Sequence, residues 1–358
     1  MSLSSATSRF FLFLSILAFS ACGSSGSGSS GNSAIVGLAL STDGNTLYLA
    51  NADKQVIQSL NLTNLAVSTY AGGANTSGTT NATGAAARFN EPFALVNMGG
   101  TLFVADTHNH GIRQIDTTQT VTTLAGKLGT AGATDDTGVA ALFNYPKGIT
   151  SVGGDFYVAD TSNFLVRKVT SGGAVTTFAG TSGQSGYVDG ASNAGVKFGA
   201  PFAVAATATN IYVSDSSNHS IRSILISDKS VSTLAGSTSG VPGTTDSITP
   251  GQGTTARFNT PAGIVTDGTN LYVADFDNHT IRKIVIATGV VSTIAGTAGT
   301  SGSTDSPTGP GTVAKFNTPI GLALDTARGF LYVSDQRYTK IRKIDLASGA
   351  VTTLNASF

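Results

Sequence analysis

Short apolar runs recur along the chain at a nearly constant spacing, and each is bounded by small or polar residues. Six pentamers share this form: LYLAN (47–51), LFVAD (102–106), FYVAD (156–160), IYVSD (211–215), LYVAD (271–275) and LYVSD (331–335). Their composition, rich in Val, Leu, Ile and Tyr, is typical of β-strands. Self-similarity at a fixed period indicates a repeat architecture.

Each repeat contains three further short segments of the same β type, separated by Gly, Asn and Asp turns. One is a V-[ST]-T-x-A-G motif, as in residues 121–126 and 231–236, and FNTP-like linkers stand between repeats, as in residues 258–261. Four strands per repeat in a closed ring predict an all-β, six-bladed β-propeller of four-stranded antiparallel blades over residues 34–358. The near-continuous apolar strands fit blades that are buried on both faces.

The motif LYVAD-x-x-N-H-x-I-R-K-I, followed by V-x-T-x-A-G and F-x-x-P, resembles the NHL repeat. The resemblance extends over all six copies and implies a propeller. It leaves the function open, because NHL propellers include protein-binding domains, RNA-binding domains, sensor ectodomains and a few metal-dependent lyases.

The N-terminus has the pattern of an export signal. The apolar run of residues 10–19 is too short to span a bilayer, which needs about 20 helical residues, so we interpret residues 1–21 as a signal peptide. The small residues before Cys22 resemble the lipobox of bacterial lipoproteins, which implies acylation of Cys22; an ordinary signal peptide with an incidental cysteine is the alternative. The Gly/Ser-rich residues 22–33 then form a flexible tether. We therefore expect a lipid-anchored protein of the bacterial cell envelope, periplasmic or at the cell surface.

The amino-acid composition limits the kinds of partner that we expect the chain to bind. The chain has 20 basic and 20 acidic residues and no net charge. It lacks the basic excess that phosphate neutralisation requires, so we expect no nucleic-acid partner. Cys22 is the single cysteine, which excludes internal disulfides and a thiolate metal site.

An Asp at the end of the second strand is followed seven residues later by an Arg in five repeats. In the first repeat both are replaced together, by Asn51 and Gln58. Joint replacement indicates a paired contact, because loss of one partner alone leaves an uncompensated buried charge. We predict five structural clasp pairs across a hairpin: Asp106–Arg113, Asp160–Arg167, Asp215–Arg222, Asp275–Arg282 and Asp335–Arg342.

The hairpin tips between Asp and Arg carry Asn and His. They lie at the same end of the blades as the long inserts 237–257 and 297–315, which makes this end the predicted working face. Asn serves equally well as a turn residue, and three imidazoles on one face could alternatively bind a metal or an anion. The candidate binding residues are Asn109, His110, Asn163, Asn218, His219, Asn278 and His279.

Catalytic motifs are scarce. Glu91 is the single glutamate, and the insert aspartates serve as turn residues or, alternatively, as Ca²⁺ ligands. We expect no catalytic residue, no metal site and no cofactor, with Ca²⁺ or Zn²⁺ left open. The sequence thus favours a tethered extracytoplasmic module that binds or scaffolds a protein or glycan. The alternatives are a metal-dependent lyase or hydrolase at the axial mouth, or a structural envelope protein. The insert aspartates are Asp135, Asp136, Asp189, Asp246 and Asp305.

Overall fold

The computed structural model describes residues 34–335, 337 and 339–358. The signal peptide, Cys22 and the tether, all predicted within residues 1–33, lie outside this range. The described chain forms six antiparallel sheets, each built from four consecutive strands, with a fifth short strand added to one. The predicted six-bladed propeller is confirmed.

Every blade runs from an inner strand to an outer strand in chain order. Blades one to three comprise β1 Ile35–Leu40, β2 Thr46–Asn51, β3 Val56–Asn61, β4 Val67–Ala71; β5 Pro92–Met98, β6 Thr101–Asp106, β7 Gly111–Ile115, β8 Val121–Ala125; and β10 Pro146–Val152, β11 Asp155–Asp160, β12 Leu165–Val169, β13 Ala174–Ala179. Blades four to six comprise β14 Pro201–Ala206, β15 Asn210–Asp215, β16 Ser220–Leu225, β17 Val231–Gly236; β18 Pro261–Thr266, β19 Asn270–Asp275, β20 Thr280–Val285, β21 Val291–Ala295; and β22 Pro319–Asp325, β23 Phe330–Asp335, β24 Lys340–Asp345, β25 Val351–Leu354.

The helices of the described range are single 3-10 turns of three residues. They are Gly84–Ala86, Thr107–Asn109, Gly138–Ala140, Thr161–Asn163, Ser216–Asn218, Gly253–Thr255, Phe276–Asn278 and Gly311–Val313. None of the helices described here has the length and apolar character needed to cross a membrane.

The hydrophobic core lies between blades. In β11, Tyr157 and Ala159 belong to a cluster shared with blade four, while Val158 between them belongs to a cluster shared with blade two. Successive side chains of a strand point to opposite faces of the sheet, so each strand contributes to two cores. This explains why the strands read as continuous apolar runs.

The ring closes without exchange of a strand, since each blade is built from its own consecutive strands in the described range. The seam between blades one and six is a hydrophobic cluster that includes Leu47 and Leu49 of β2 and Tyr332 of β23. At its rim the Arg328 guanidinium donates to Asn45 Oδ1 (2.8 Å) and to the Gly44 carbonyl. Side-chain packing and these hydrogen bonds therefore hold the seam.

Antiparallel pairing places the start of strands one and three and the end of strands two and four at one end of every blade. We call this end the loop face. The inserts leave from the loop face, but each then pairs with the outermost strand of the following blade: Val121 N donates to Ala82 O (2.9 Å), and β9 Asp136–Thr137 pairs with β13. Part of each insert therefore covers an exposed sheet edge, and only the remainder is left for a partner.

Candidate functional site on the loop face and in the axial channel

Beneath each hairpin tip of blades two to six lies a buried carboxylate, and blade five shows its environment. Asp275 is fully buried. Its Oδ1 accepts from the Asn259 backbone N–H (2.7 Å), and its Oδ2 accepts from Asn278 Nδ2 (2.7 Å) and from Arg282 (2.7 Å). The linker, the hairpin tip and the third strand are thereby joined at one side chain.

The same Asp–Arg contact is present in blades two to six. The distances between the carboxylate and guanidinium groups range from 2.7 to 3.1 Å, and these side chains are at most 1% exposed. Blade one has a neutral version, in which Asn51 Nδ2 donates to Gln58 Oε1 (2.8 Å). The joint replacement in the first repeat thus keeps a hydrogen bond and removes both charges.

Each clasp arginine also binds a residue of the insert that enters its blade. In blade five, Arg282 donates to Asp246 Oδ1 (2.7 Å), and Asp246 Oδ2 accepts from the Thr293 backbone N–H (3.1 Å). The equivalents are Asp135, Asp189 and Asp305, with Asn81 in blade two. Asp136 differs, since its Oδ1 accepts from the Thr137 N–H. The sequence analysis missed these second partners because the inserts differ in length and hide the equivalence.

The remaining side of each guanidinium lies over the linker phenylalanine. The ring centroids are 4.7 to 5.3 Å from the guanidinium carbon, a cation–π geometry, for Phe89, Phe143, Phe198, Phe258 and Phe316. All five rings are fully buried. In the described structure the Nε of Arg113, Arg167, Arg282 and Arg342 has no hydrogen-bond partner, so the ring supplies part of what a polar partner would otherwise provide.

Burial governs the charge state of the clasp. Desolvation raises the pKa of Asp275 to about 6, while Arg282 and the hydrogen-bond donors oppose this rise. Asp106, Asp160 and Asp335 behave in the same way, and burial also raises the pKa of Asp215. A pKa of about 6 leaves Asp106, Asp160, Asp275 and Asp335 mainly ionised at neutral pH.

The predicted binding amides turn out to lie within this network. Asn109, Asn163 and Asn278 are buried. In each, the Nδ2 group donates both to the clasp Asp and to an insert carbonyl, at 2.6–2.8 Å. Asn218 makes the same two bonds. Both N–H bonds of each amide are therefore used internally, and neither is left to donate to a ligand.

The predicted binding histidines join successive blades. His110, His219 and His279 have positive φ, between 52° and 59°. Their Nδ1 atoms accept from the backbone N–H of Tyr145, Thr260 and Thr318 in the next linker, at 3.0–3.2 Å. Burial lowers the pKa of all three imidazoles. They therefore act as neutral acceptors between blades.

Blades one and three have no histidine at this position, and the N–H group of the next linker finds another acceptor in each. In blade one, Gln55 has the same backbone conformation and its Oε1 accepts from the Glu91 N–H. In blade three the position is Phe164, which cannot accept, and the following linker N–H of Ala200 donates to Asp215 instead. The linker changes together with the side chain that it contacts.

The three imidazoles thus serve three different linkers. Across the described residues, no group of three or more His, Cys, Asp or Glu side chains is placed to hold a metal ion.

A different set of positions faces outward on the loop face. The residue two after each clasp Asp, or after Asn51 in blade one, is exposed or partly exposed in every blade and varies among Asp, His, Ser and Arg. These residues, which we call the variable ring, are Asp53, His108, Ser162, Ser217, Asp277 and Arg337. Three of them contact the segment that leads into their own blade: the Ala34 N–H donates to Asp53 Oδ2 (3.0 Å), His108 Nδ1 is 3.0 Å from Glu91 Oε1, and Thr260 Oγ1 donates to Asp277 Oδ2 (2.6 Å).

The inner strands enclose an axial channel of about 350 Å³. Close approach of these strands requires small residues. At Gly263, for example, a Cβ atom would lie 2.1 Å from the Ile320 carbonyl oxygen. The second position of the inner strands is Val36, Phe93, Lys147, Phe202, Ala262 and Ile320, and all of these except Ala262 line the channel. Lys147 is thus a charged residue in an otherwise apolar set.

Comparison with known proteins agrees with this repeat geometry. The family model of the NHL repeat matches residues 143–169, which contain the linker, inner strand and clasp of blade three. The chain is a six-bladed propeller that contains an NHL repeat. A relative, the chloroplastic protein SUPPRESSOR OF QUENCHING 1 of Arabidopsis thaliana, is 29% identical over 280 residues, covering 74% of this chain and 26% of that protein.

NHL repeat-containing protein 2 of Homo sapiens is also 29% identical, over 307 residues that cover 74% of this chain and 40% of the human protein. The chain thus spans about a quarter to two-fifths of the curated relatives. Among solved structures, an auxiliary nutrient binding protein from Bacteroides thetaiotaomicron has a TM-score of 0.63 at 17% identity, over 90% of this chain and 70% of that one. At this sequence identity, the structural similarity shows a shared fold alone.

Proposed function

We propose that the protein is a membrane-tethered, extracytoplasmic binding module that recognises a protein or glycan partner through the variable ring and the adjoining insert segments. The observation that carries the proposal is that buried, repeated positions and exposed, variable positions lie next to each other in the hairpin tips. The Asp and Arg positions repeat in blades two to six and are buried, whereas the position two after each Asp is exposed or partly exposed and varies among Asp, His, Ser and Arg. Exposed loop positions that vary from blade to blade are those on which binding specificity can be built.

The chemistry of the ring suits a polar, uneven partner surface. Asp53 and Asp277 are acidic and Arg337 is basic, while Ser162 and Ser217 offer hydroxyl groups. Tyr145 adds a partly exposed aromatic ring, packed edge-on against His108 at 4.9 Å. Aromatic residues and Arg are enriched at protein interfaces, and solved propellers of the same fold include a nutrient binding protein and a nidogen–laminin complex.

Site-specific photo-crosslinking in intact cells tests the proposal. A photoreactive amino acid replaces Ser217 or Arg337 on the loop face, and in the control it replaces Asn64 in the exposed β3–β4 turn at the opposite end of blade one. We expect the same partner to be captured from both loop-face positions and not from position 64. Equal capture from all three positions, or no reproducible partner from any, would contradict the proposal.

The lipid anchor is tested separately by mass spectrometry of the mature N-terminus. We expect an acylated Cys22 in the native chain and no acylation in Cys22→Ala. A mature chain that starts elsewhere without lipid would overturn the anchor and leave the loop-face proposal intact.

A further inference from the structure

Lys147 stands apart from its equivalents in the other five blades. The residues that line the axial channel come from all six inner strands, and Lys147 is the one charged side chain among the lining residues that the structure describes. A lysine is a rare choice for an apolar channel, because removal of an ammonium group from water costs free energy. Its presence at one of six equivalent positions is a departure that the fold itself does not require.

The surroundings of Lys147 form an organised site. Its Nζ lies 5.4 Å from the ring centroid of Phe93 and 4.9 Å from that of Phe202. These phenylalanines come from the blades on either side, and their rings contact each other edge-to-face at 5.2 Å. Cation–π contacts on two sides hold the ammonium group at the channel.

The rest of the channel is apolar with few polar groups. Beyond Lys147 the wall contains aliphatic side chains, such as Leu38 and Ile264, and the polar side chains of Asn97, Thr150 and Thr266. Glu91 is the acidic group whose charge acts on Lys147, and its Oε1 also lies 3.0 Å from His108 Nδ1. A concave apolar site with one fixed charge is the usual form of a small-molecule site.

We propose that the axial channel binds a small organic carboxylate with an apolar body, whose negative charge is held by Lys147 between Phe93 and Phe202. The apolar body fills the channel, and the volume of about 350 Å³ accommodates a molecule of the size of benzoate or a short fatty acid. The site is separate from the variable ring, so it does not depend on the proposed function.

Titration of the purified full-length chain with benzoate, followed by saturation-transfer NMR, tests this proposal. Benzamide, which has the same shape without the charge, is the ligand control. Lys147→Met removes the charge and retains an unbranched side chain, and Lys127→Met removes an exposed lysine as the matched control. We expect saturable benzoate binding to the native chain and to Lys127→Met, and at least tenfold weaker binding for Lys147→Met and for benzamide.

A pH series on the native chain provides a second arm that does not need the variant to fold. Burial lowers the pKa of Lys147 to about 8. The affinity for benzoate should therefore fall between pH 7 and pH 9, where benzoate itself does not titrate. Three results would overturn the proposal: no saturable benzoate binding, equal affinity for benzoate and benzamide or for the native chain and Lys147→Met, or an affinity that is constant from pH 7 to pH 9.

Discussion

Asp275 and Asp277 are two residues apart in the same hairpin tip, yet their environments differ completely. Asp275 is fully buried and accepts hydrogen bonds from Asn259, Asn278 and Arg282. Asp277 is exposed, and its Oδ2 accepts a single side-chain hydrogen bond from Thr260.

The comparison explains which residues the repeats keep and which they vary. The Asp275 position is acidic in blades two to six, whereas the Asp277 position is Asp, His, Ser or Arg. A buried charge is tolerated only with all of its partners in place, so the whole network must be kept together. An exposed position has no such constraint and is free to follow the demands of a partner.

The largest expected effect comes from neutralising the two aspartates separately. Asp275→Ala leaves the Arg282 guanidinium, the Asn259 N–H and the Asn278 amide without their shared acceptor, and we expect a loss of about 3–5 kcal/mol in the free energy of unfolding. Asp277→Ala should change it by no more than about 0.5 kcal/mol. Urea denaturation followed by circular dichroism measures both. Similar losses for the two variants would contradict the distinction between the buried Asp275 position and the exposed Asp277 position.

We expect a smaller loss of unfolding free energy when the insert residue Asp246 is replaced. Asp246 binds the same guanidinium as Asp275, but its side chain is 37% exposed. Water can replace part of the lost interaction, and Arg282 keeps Asp275, so we expect Asp246→Ala to cost about 1 kcal/mol. The same urea denaturation experiment measures this loss and compares it with that of Asp275→Ala. A cost equal to that of Asp275→Ala would show that the insert carries as much of the clasp as the hairpin does.

The smallest expected effect is a pH dependence from the interblade histidines. Burial lowers the pKa of His110, His219 and His279 in the folded state. Just below the ordinary histidine pKa of about 6.5, the unfolded chain therefore binds more protons than the folded chain does. The stability that these histidines confer is present above that pH, and it is lost as the pH falls through their folded-state pKa values.

Replacement of all three histidines by glutamine isolates this contribution. Glutamine performs the same acceptor role in blade one, where Gln55 contacts Glu91, and it does not titrate. We expect the native chain to lose more of its melting temperature between pH 7 and pH 5 than the triple variant does. Identical pH profiles of the two proteins would show that the imidazoles do not couple protonation to stability.

Most of the fold was accessible from the sequence, because the repeats supply six views of one unit. The strand pentamers, the V-x-T-x-A-G motif and the linker phenylalanines all occur where the sequence analysis placed them, and Asp and Arg of each clasp are in contact. A separation of seven residues across a hairpin is a local relation, which a one-dimensional pattern records well.

Contacts between segments of variable spacing were not accessible in this way. Asp246 reaches Arg282 from 36 residues upstream, whereas Asp135 reaches Arg167 from 32 residues upstream, so no fixed period links the two partners. The same limit affected the Asn–His tips. Their composition suggested a ligand site, while the structure uses Asn278 for the clasp and His279 for the next blade. The site around Lys147 depends on side chains from three blades, which no local motif brings together.

A double-mutant cycle on Asp275 and Arg282 tests the central claim most directly. If the two side chains form one buried structural unit, the losses of unfolding free energy in Asp275→Ala and Arg282→Ala will not add, and the double variant will be at least about 2 kcal/mol more stable than their sum predicts. Additive losses, with no coupling between the two substitutions, would contradict the division of the hairpin into a buried structural network and an exposed variable ring.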